Sequence, residues 1–320
     1  MKKKMICFAV VSVLIFALTG CSDDKAQENK EAYRQIGFNC MEQGDYQGAL
    51  EAFQSAMDQS VGTVGEEEID TCYYKAACYY MQGDVENAID CYESLIAYDD
   101  SNGDAHYLLG NLYLIQGDVE KAKLSYDRAI ERESENYELY VAIYEQVTGA
   151  GYAEEGEAYL KRALNQTGTS GEDYLQRGRI YLILGDYDNA QEQLDEASDK
   201  KHPDAPLYLA EMYEMRGESD KAEALYASYA ENHENDSEAL IKLVEMKLET
   251  GNYEGAVDYL NKLLSSEKKL EQDQQLRLEL IYCYEQMMDF ESAKAALDEY
   301  LKLYPEDEKA QREYTFLQTR

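Results

Sequence analysis

The 320-residue chain carries 65 Asp and Glu against 30 Lys and Arg, a net charge of −35. Such a surface repels phosphate polymers and anionic lipid, which excludes direct nucleic-acid binding and electrostatic adhesion to a bilayer and favours basic partners. Seven cysteines occur without a CxxC pair or zinc-ligand spacing.

The first twenty residues differ from the rest. Lys2, Lys3 and Lys4 precede an unbroken apolar run from Met5 to Leu18, shorter than the roughly 20 residues that span a bilayer as a helix, so residues 1–20 read as a cleaved signal peptide. Leu18-Thr19-Gly20-Cys21 follows and resembles the lipobox of bacterial lipoproteins. The resemblance implies diacylglyceryl transfer to the Cys21 sulfur, cleavage before it, and a chain anchored to a membrane by its acyl chains outside the cytoplasm, on the outer membrane where the host has one. The mature chain then keeps 27 basic and 65 acidic side chains, a net charge of −38. Residues 21–29 read as the lipidated N-terminus and a flexible tether. Cys40, Cys72, Cys78, Cys91 and Cys283 are expected as small buried hydrophobes, with no disulfide framework.

Beyond the tether, a turn phrase recurs with Ala or Gly five residues after its glycine: Gly44-Asp45 with Ala49, Gly83-Asp84 with Ala88, Gly117-Asp118 with Ala122, Gly151 with Gly156, Gly185-Asp186 with Ala190, Gly217 with Ala222, Gly251 with Ala256, and Met288-Asp289 with Ala293. Successive turns are 39, 34, 34, 34, 32, 34 and 37 residues apart. Small and large residues alternate around each turn at helical spacing. The third copy has Leu109, Gly110 and Tyr113 before it and Ala122, Tyr126 and Ala129 after it, the fifth Gly178, Tyr181, Ala190, Leu194 and Ala197. Residues three, four and seven apart share a helix face, and small ones let two helices approach closely.

This pattern resembles the tetratricopeptide repeat (TPR) over nearly all of the mature chain. The resemblance implies an all-α fold, a right-handed α-solenoid (superhelix) of about eight helix-turn-helix repeats with a C-terminal capping helix. Approximate repeats are 30–59, 69–102, 103–136, 137–170, 171–202, 203–236, 237–264 and 274–305, with the cap at 306–320. Tyr144 and Gly156 in the fourth repeat, Tyr229 in the sixth and Met288 in the eighth depart from the pattern and mark the weakest repeats. Insertions fall at Ser60–Glu68 and Ser265–Asp273, and Pro203, Pro206 and Pro305 fall outside helix interiors.

No local phrase announces catalysis: HExxH, GxSxG and GxxxxGK[ST] are all missing from the sequence. His106, His202 and His233 fall in different repeats and read as surface or helix-end residues. Asp99-Asp100-Ser101-Asn102-Gly103-Asp104 is rich in oxygen ligands but lacks the twelve-residue calcium-loop spacing, and reads as an inter-repeat turn with an N-cap. No enzyme activity, metal or cofactor is expected.

In the family it resembles, the first helices of successive repeats line a concave groove for peptides or protein segments. Carried onto this chain, that surface comprises Tyr73, Ala77 and Tyr80, then Tyr107, Asn111 and Leu114, then Leu175, Arg179 and Leu182, then Leu207 and Glu211. A carboxylate clamp of Lys, Asn and Arg is not present as a set, because Arg34 and Asn111 are accompanied by Phe38, Tyr73, Tyr74 and Leu108. The groove fits segments with apolar anchors and basic flanks. Two roles stay open: an envelope scaffold or assembly factor docking an exported protein, and a small-ligand-binding or sensor lipoprotein. The tyrosines are equally consistent with seam packing.

Overall fold

The recurrent Gly-Asp phrase is a helix stop followed by a helix start. Gly117 holds φ at +79°. Its N–H donates to the Leu114 carbonyl while the Asp118 N–H reaches Tyr113, the paired bonds of a Schellman stop. The Asp118 carboxylate then accepts from the Lys121 N–H at 3.1 Å and caps the next helix. Asp45, Asp84, Asp186, Asn252 and Asp289 cap in the same way. Tyr152 and Glu218, the corresponding residues of the fourth and sixth repeats, make no side-chain cap.

The computed structural model describes residues 25–60, 64–233, 237–265 and 272–318, and all regular structure among the described residues is helical. The expected signal peptide and Cys21 lie outside them, as do parts of both insertions. The chain divides into two compact units, one ending at Asn165 and one starting at Gln166. The first holds α1 (25–42), α2 (Tyr46–Met57), α3 (Glu66–Met81), α4 (Val85–Tyr98), α5 (Gly103–Ile115), α6 (Val119–Arg132), α7 (Tyr137–Gly149) and α8 (Ala153–Ala163). The second holds α9 (Gly171–Ile183), α10 (Tyr187–Asp199), α11 (Ala205–Met215), α12 (Ser219–Asn232), α13 (Glu238–Glu249), α14 (Tyr253–Leu264), α15 (Asp273–Gln286), α16 (Phe290–Leu303) and α17 (Glu308–Leu317). From α2 onward, successive helices within each unit pack on one another, giving an all-α array of helix-turn-helix repeats. No helix among the described residues is long and apolar enough to cross a membrane.

In the first, third and fifth repeats the seam is a small residue on the first helix under a large one on the second. A Cβ built on Gly110 would lie 2.6 Å from the Tyr126 ring, and Gly37 and Gly178 seat Phe53 and Leu194 equally closely. The fourth repeat reverses the sizes. Tyr144 replaces the small residue, and Gly156 opposite has no room for a side chain, since a Cβ there would lie 2.3 Å from Thr148 Oγ1 and 3.2 Å from the Tyr144 carbonyl. The departure is thus a compensated exchange of volume, and α7 and α8 remain closely packed. In the sixth repeat Tyr229 is buried, stacks on His233 with ring centroids 3.9 Å apart, and donates to Asp204 at 3.0 Å.

Other expectations change. Helix α1 starts at residue 25, inside the segment read as a tether. Contacts with α3 hold its first turns: Gln27 Nε2 donates to Glu67 at 3.1 Å, and Lys30 Nζ lies 2.6 Å from Glu67 and 2.8 Å from Glu68. His106, read as a surface or helix-end residue, is in the first turns of α5 but buried. Its Nε2 lies 3.3 Å from the Asp100 carbonyl. Asp99–Asn102 form the turn before α5, and Gly103 and Asp104 begin the helix: Asp99 accepts from Ser101, Asp100 pairs with Arg132, and Asn102 caps α5. Cys78, Cys91 and Cys283 are buried, Cys40 and Cys72 half-buried, and all five are free thiols. At the C-terminal end α17 buries Ala310 and Leu317 against Leu297 and Tyr300, with Tyr314 partly covered.

Candidate functional site

In the first unit, α3 and α5 carry the expected surface residues at spacings of three to four, which places them along one face of each helix. Tyr73 is half-buried. Its hydroxyl donates to Asn102 at 2.8 Å and its ring meets Tyr92 edge-on at 5.7 Å. Burial raises the Tyr73 phenol above its ordinary value. Two turns further along the same face, Tyr80 is 48% exposed. On α5, Tyr107 leans against Tyr126 with centroids 6.0 Å apart, and Asn111 accepts the Tyr126 hydroxyl at 2.7 Å. Tyr107, Asn111 and Leu114 keep part of their surface in solvent. Their inner edges are packing and their outer edges are free, the combination that gives a rigid aromatic contact surface. Met81 and Ile115, each beside the last expected residue of its helix, are more exposed than most of those selected from the repeat positions.

The second unit differs. Leu175 and Leu182, assigned to the groove surface, are only 4% and 5% exposed. They lie seven apart on α9 and join a core cluster with Leu209 and Met212 of α11, so the first helix of the next repeat covers them. Leu207 is buried as well. Arg179 remains half-buried, donating to Gln176 at 2.8 Å and lying 5.3 Å from the Tyr208 ring. Near it the helices present carboxylates. Burial raises the Glu211 carboxyl, Lys242 opposes this, and Glu238 and Glu214 add to it. Glu214 accepts the Tyr226 hydroxyl at 2.8 Å. This face is acidic and offers little free apolar surface.

A further cleft of about 460 Å³ opens between α4, α5 and α6. Ile96, Leu109 and Leu124 form its apolar wall, and Glu93, Lys121 and Arg128 its charged rim. The sequence reading missed it because Leu124, 61% exposed, occupies no position of the repeat pattern. No group of three or more His, Cys, Asp or Glu side chains among the described residues could hold a metal ion.

Residues 78–117, 103–136 and 175–239 each match a tetratricopeptide-repeat family profile. The chain contains tetratricopeptide repeats. Residues 233–319 also match the YfiO family, described as an outer membrane lipoprotein. No curated protein matches the chain. Among solved structures, a TPR protein from Parabacteroides merdae is 16% identical, with 91% of this chain and 99% of that one covered and a TM-score of 0.42. The C-terminal part of a TPR protein from Cytophaga hutchinsonii is 17% identical over 88% of this chain and 98% of that one, with a TM-score of 0.40. PilW, described as a type IV pilus biogenesis factor, is 19% identical over 66% of this chain and 99% of its own, with a TM-score of 0.41. TPR arrays are interaction modules, so the coarse role of this chain is that of a protein-interaction or assembly scaffold.

Proposed function

We propose that the chain is a lipid-anchored scaffold or assembly factor of the bacterial envelope, which binds a protein or peptide segment on the first-helix face of its N-terminal unit. The anchor is the acylated Cys21, and the surface consists of Tyr73, Tyr80, Tyr107, Asn111 and Leu114. The observation that carries the reading is the arrangement of these side chains on α3 and α5, fixed at their inner edges by Asn102, Tyr92 and Tyr126 and open at their outer edges. A partner with apolar anchors and basic flanks suits it, since the chain carries a net charge of −35 and Asp104 is exposed beside Tyr107. Leu175 and Leu182 belong to the core of their own unit and take no part. The match of residues 233–319 to an outer membrane lipoprotein family supports the envelope location.

The test is capture from envelope extract on the wild-type chain and on a Tyr80→Asp, Tyr107→Asp, Leu114→Asp variant of unchanged helicity. Specific partners should be lost from the variant. Retention of the same proteins by both would place the binding site elsewhere. In the same cells, Cys21→Ala should leave the chain unprocessed and unacylated, and acylation of that variant would sink the anchor. A second reading, a small-ligand-binding or sensor lipoprotein, is favoured by the cleft between α4, α5 and α6. A ligand there would stabilise wild type and triple variant equally, which separates the two.

A further inference from the structure

Cys72 on α3 and Cys91 on α4 face one another across the seam of the second repeat. The Cys72 thiol donates to the Cys91 backbone carbonyl at 3.6 Å, which brings the Cys72 sulfur up against Cys91. Beside them the rings of Tyr73 and Tyr92, the next residue on each helix, meet edge-on at 5.7 Å. The two contacts set this part of α3 directly against this part of α4. The two sulfurs differ in access: Cys72 is half-buried and Cys91 buried.

We propose that Cys72 and Cys91 form an oxidative modification site, a dithiol that takes a small-molecule disulfide as oxidant and closes to an intrarepeat disulfide. In the first step the accessible Cys72 sulfur, as thiolate, attacks one sulfur of the small disulfide, forming a mixed disulfide and releasing one small thiolate. Cys91 then loses its proton and attacks the Cys72 sulfur, which forms the Cys72–Cys91 bond and expels the second small thiolate. Two protein thiols are oxidised, one external disulfide is reduced, and the two protons leave with the released thiols.

The order of attack follows from the surroundings. The neighbouring Cys91 side chain and the charge of Lys75 together outweigh burial and hold the Cys72 thiol below its ordinary value. The neighbouring Cys72 side chain, with burial, pushes the Cys91 thiol up. Cys72, the more accessible of the two, is therefore the attacking group and buried Cys91 the resolving one. Cys78 and Cys283 have no such arrangement; burial pushes each up to about 11, with the Glu279 charge adding to it at Cys283. The site is independent of the envelope reading, because it uses only the geometry of α3 and α4. Its closure would tie together the two helices of the repeat that carries Tyr73 and Tyr80.

The experiment treats the reduced, folded, full chain with oxidised glutathione and follows intact mass and non-reducing peptide maps. The expected product has lost two hydrogens, links the Cys72 peptide to the Cys91 peptide and melts at a higher temperature than the reduced chain. Cys91→Ser, which cannot resolve, should accumulate one glutathione on Cys72, whereas Cys72→Ser should leave Cys91 as a free thiol. A folded chain whose Cys72 and Cys91 stay reduced while other cysteines react, or a link from either to Cys40 or Cys78, would overturn the proposal. So would a Cys91→Ser variant that takes no glutathione at Cys72.

Discussion

Met288 stands where seven other repeats place a turn glycine, and it holds the same left-handed backbone at φ 59°. A residue with a Cβ in that region is strained by roughly 1–2 kcal/mol. Its side chain is 76% exposed, so packing offsets little of this. Met288→Gly removes the strain, and the larger freedom of glycine in the unfolded chain takes back roughly 0.4–1 kcal/mol. A net gain of about 0.5–1 kcal/mol should appear as a higher urea midpoint for the C-terminal repeats, with Met288→Ala close to wild type. A midpoint that falls in the glycine variant would mean the turn is not strained. This position was legible in the sequence because a 34-residue period exposes a missing glycine. His106, Leu175 and Leu182 were not legible at the same level. Their burial is set by neighbouring helices and turns, and a repeat position specifies which helix face a residue occupies without saying what covers that face.

The elements themselves were written locally. Each Gly-Asp phrase contains both its stop and its cap, which is why the helix pairs could be placed from sequence alone. The same logic gives an expected cost at Asp118, whose carboxylate accepts from Lys121 N at the start of α6. Asp118→Ala should destabilise the chain by about 1 kcal/mol, and Asp118→Asn, which keeps an acceptor oxygen, by much less. Hydrogen exchange in the first turn of α6 provides the check, and equal protection in the two variants would show that the cap contributes nothing. Where local signals were weak the structure relies on tertiary contacts instead. α8 begins without a capping side chain at Tyr152, and its position is fixed by Gly156 against Tyr144 and Thr148. The start of α1 has a comparable origin: the polar residues after Cys21 suggested a tether, but Gln27 and Lys30 find carboxylates on α3. That pairing depends on the placement of two helices separated by α2 and an insertion, which no local pattern contains.

Across the whole chain the dominant quantity is charge, and its effect on stability depends on which carboxylates dominate at a given pH. Several are raised in the folded state. Burial raises Glu211, with Glu238 and Glu214 adding to it against Lys242; burial and the facing Glu313 raise Glu285; burial and Asp199 raise Asp195. A raised carboxylate favours unfolding above its unfolded value near 4, so the folded chain gains stability as pH falls toward that value. Lowering the net charge from −35 also relieves self-repulsion in the same direction. Other groups act oppositely. Burial pushes the Glu68 carboxyl up, but hydrogen bonds from Lys30, Ser60 and Gly65 outweigh this and bring it down to about 2. Its contribution is full above its unfolded value of 4.5 and is lost as pH falls from there toward 2. Glu172, Asp173 and Asp289 are lowered by hydrogen bonds that favour the charged form, and lose stability in the same acid range. The melting temperature should therefore rise as pH is lowered from 7 to about 5 and fall steeply below about 4, where the lowered group is protonated on unfolding. A Glu211→Gln, Glu285→Gln variant should lose part of the rise while keeping the acid fall, because the Lys30–Glu68 contact is untouched. A wild-type melting temperature that fell steadily from pH 7 downward would mean that the paired carboxylates outweigh the buried ones throughout.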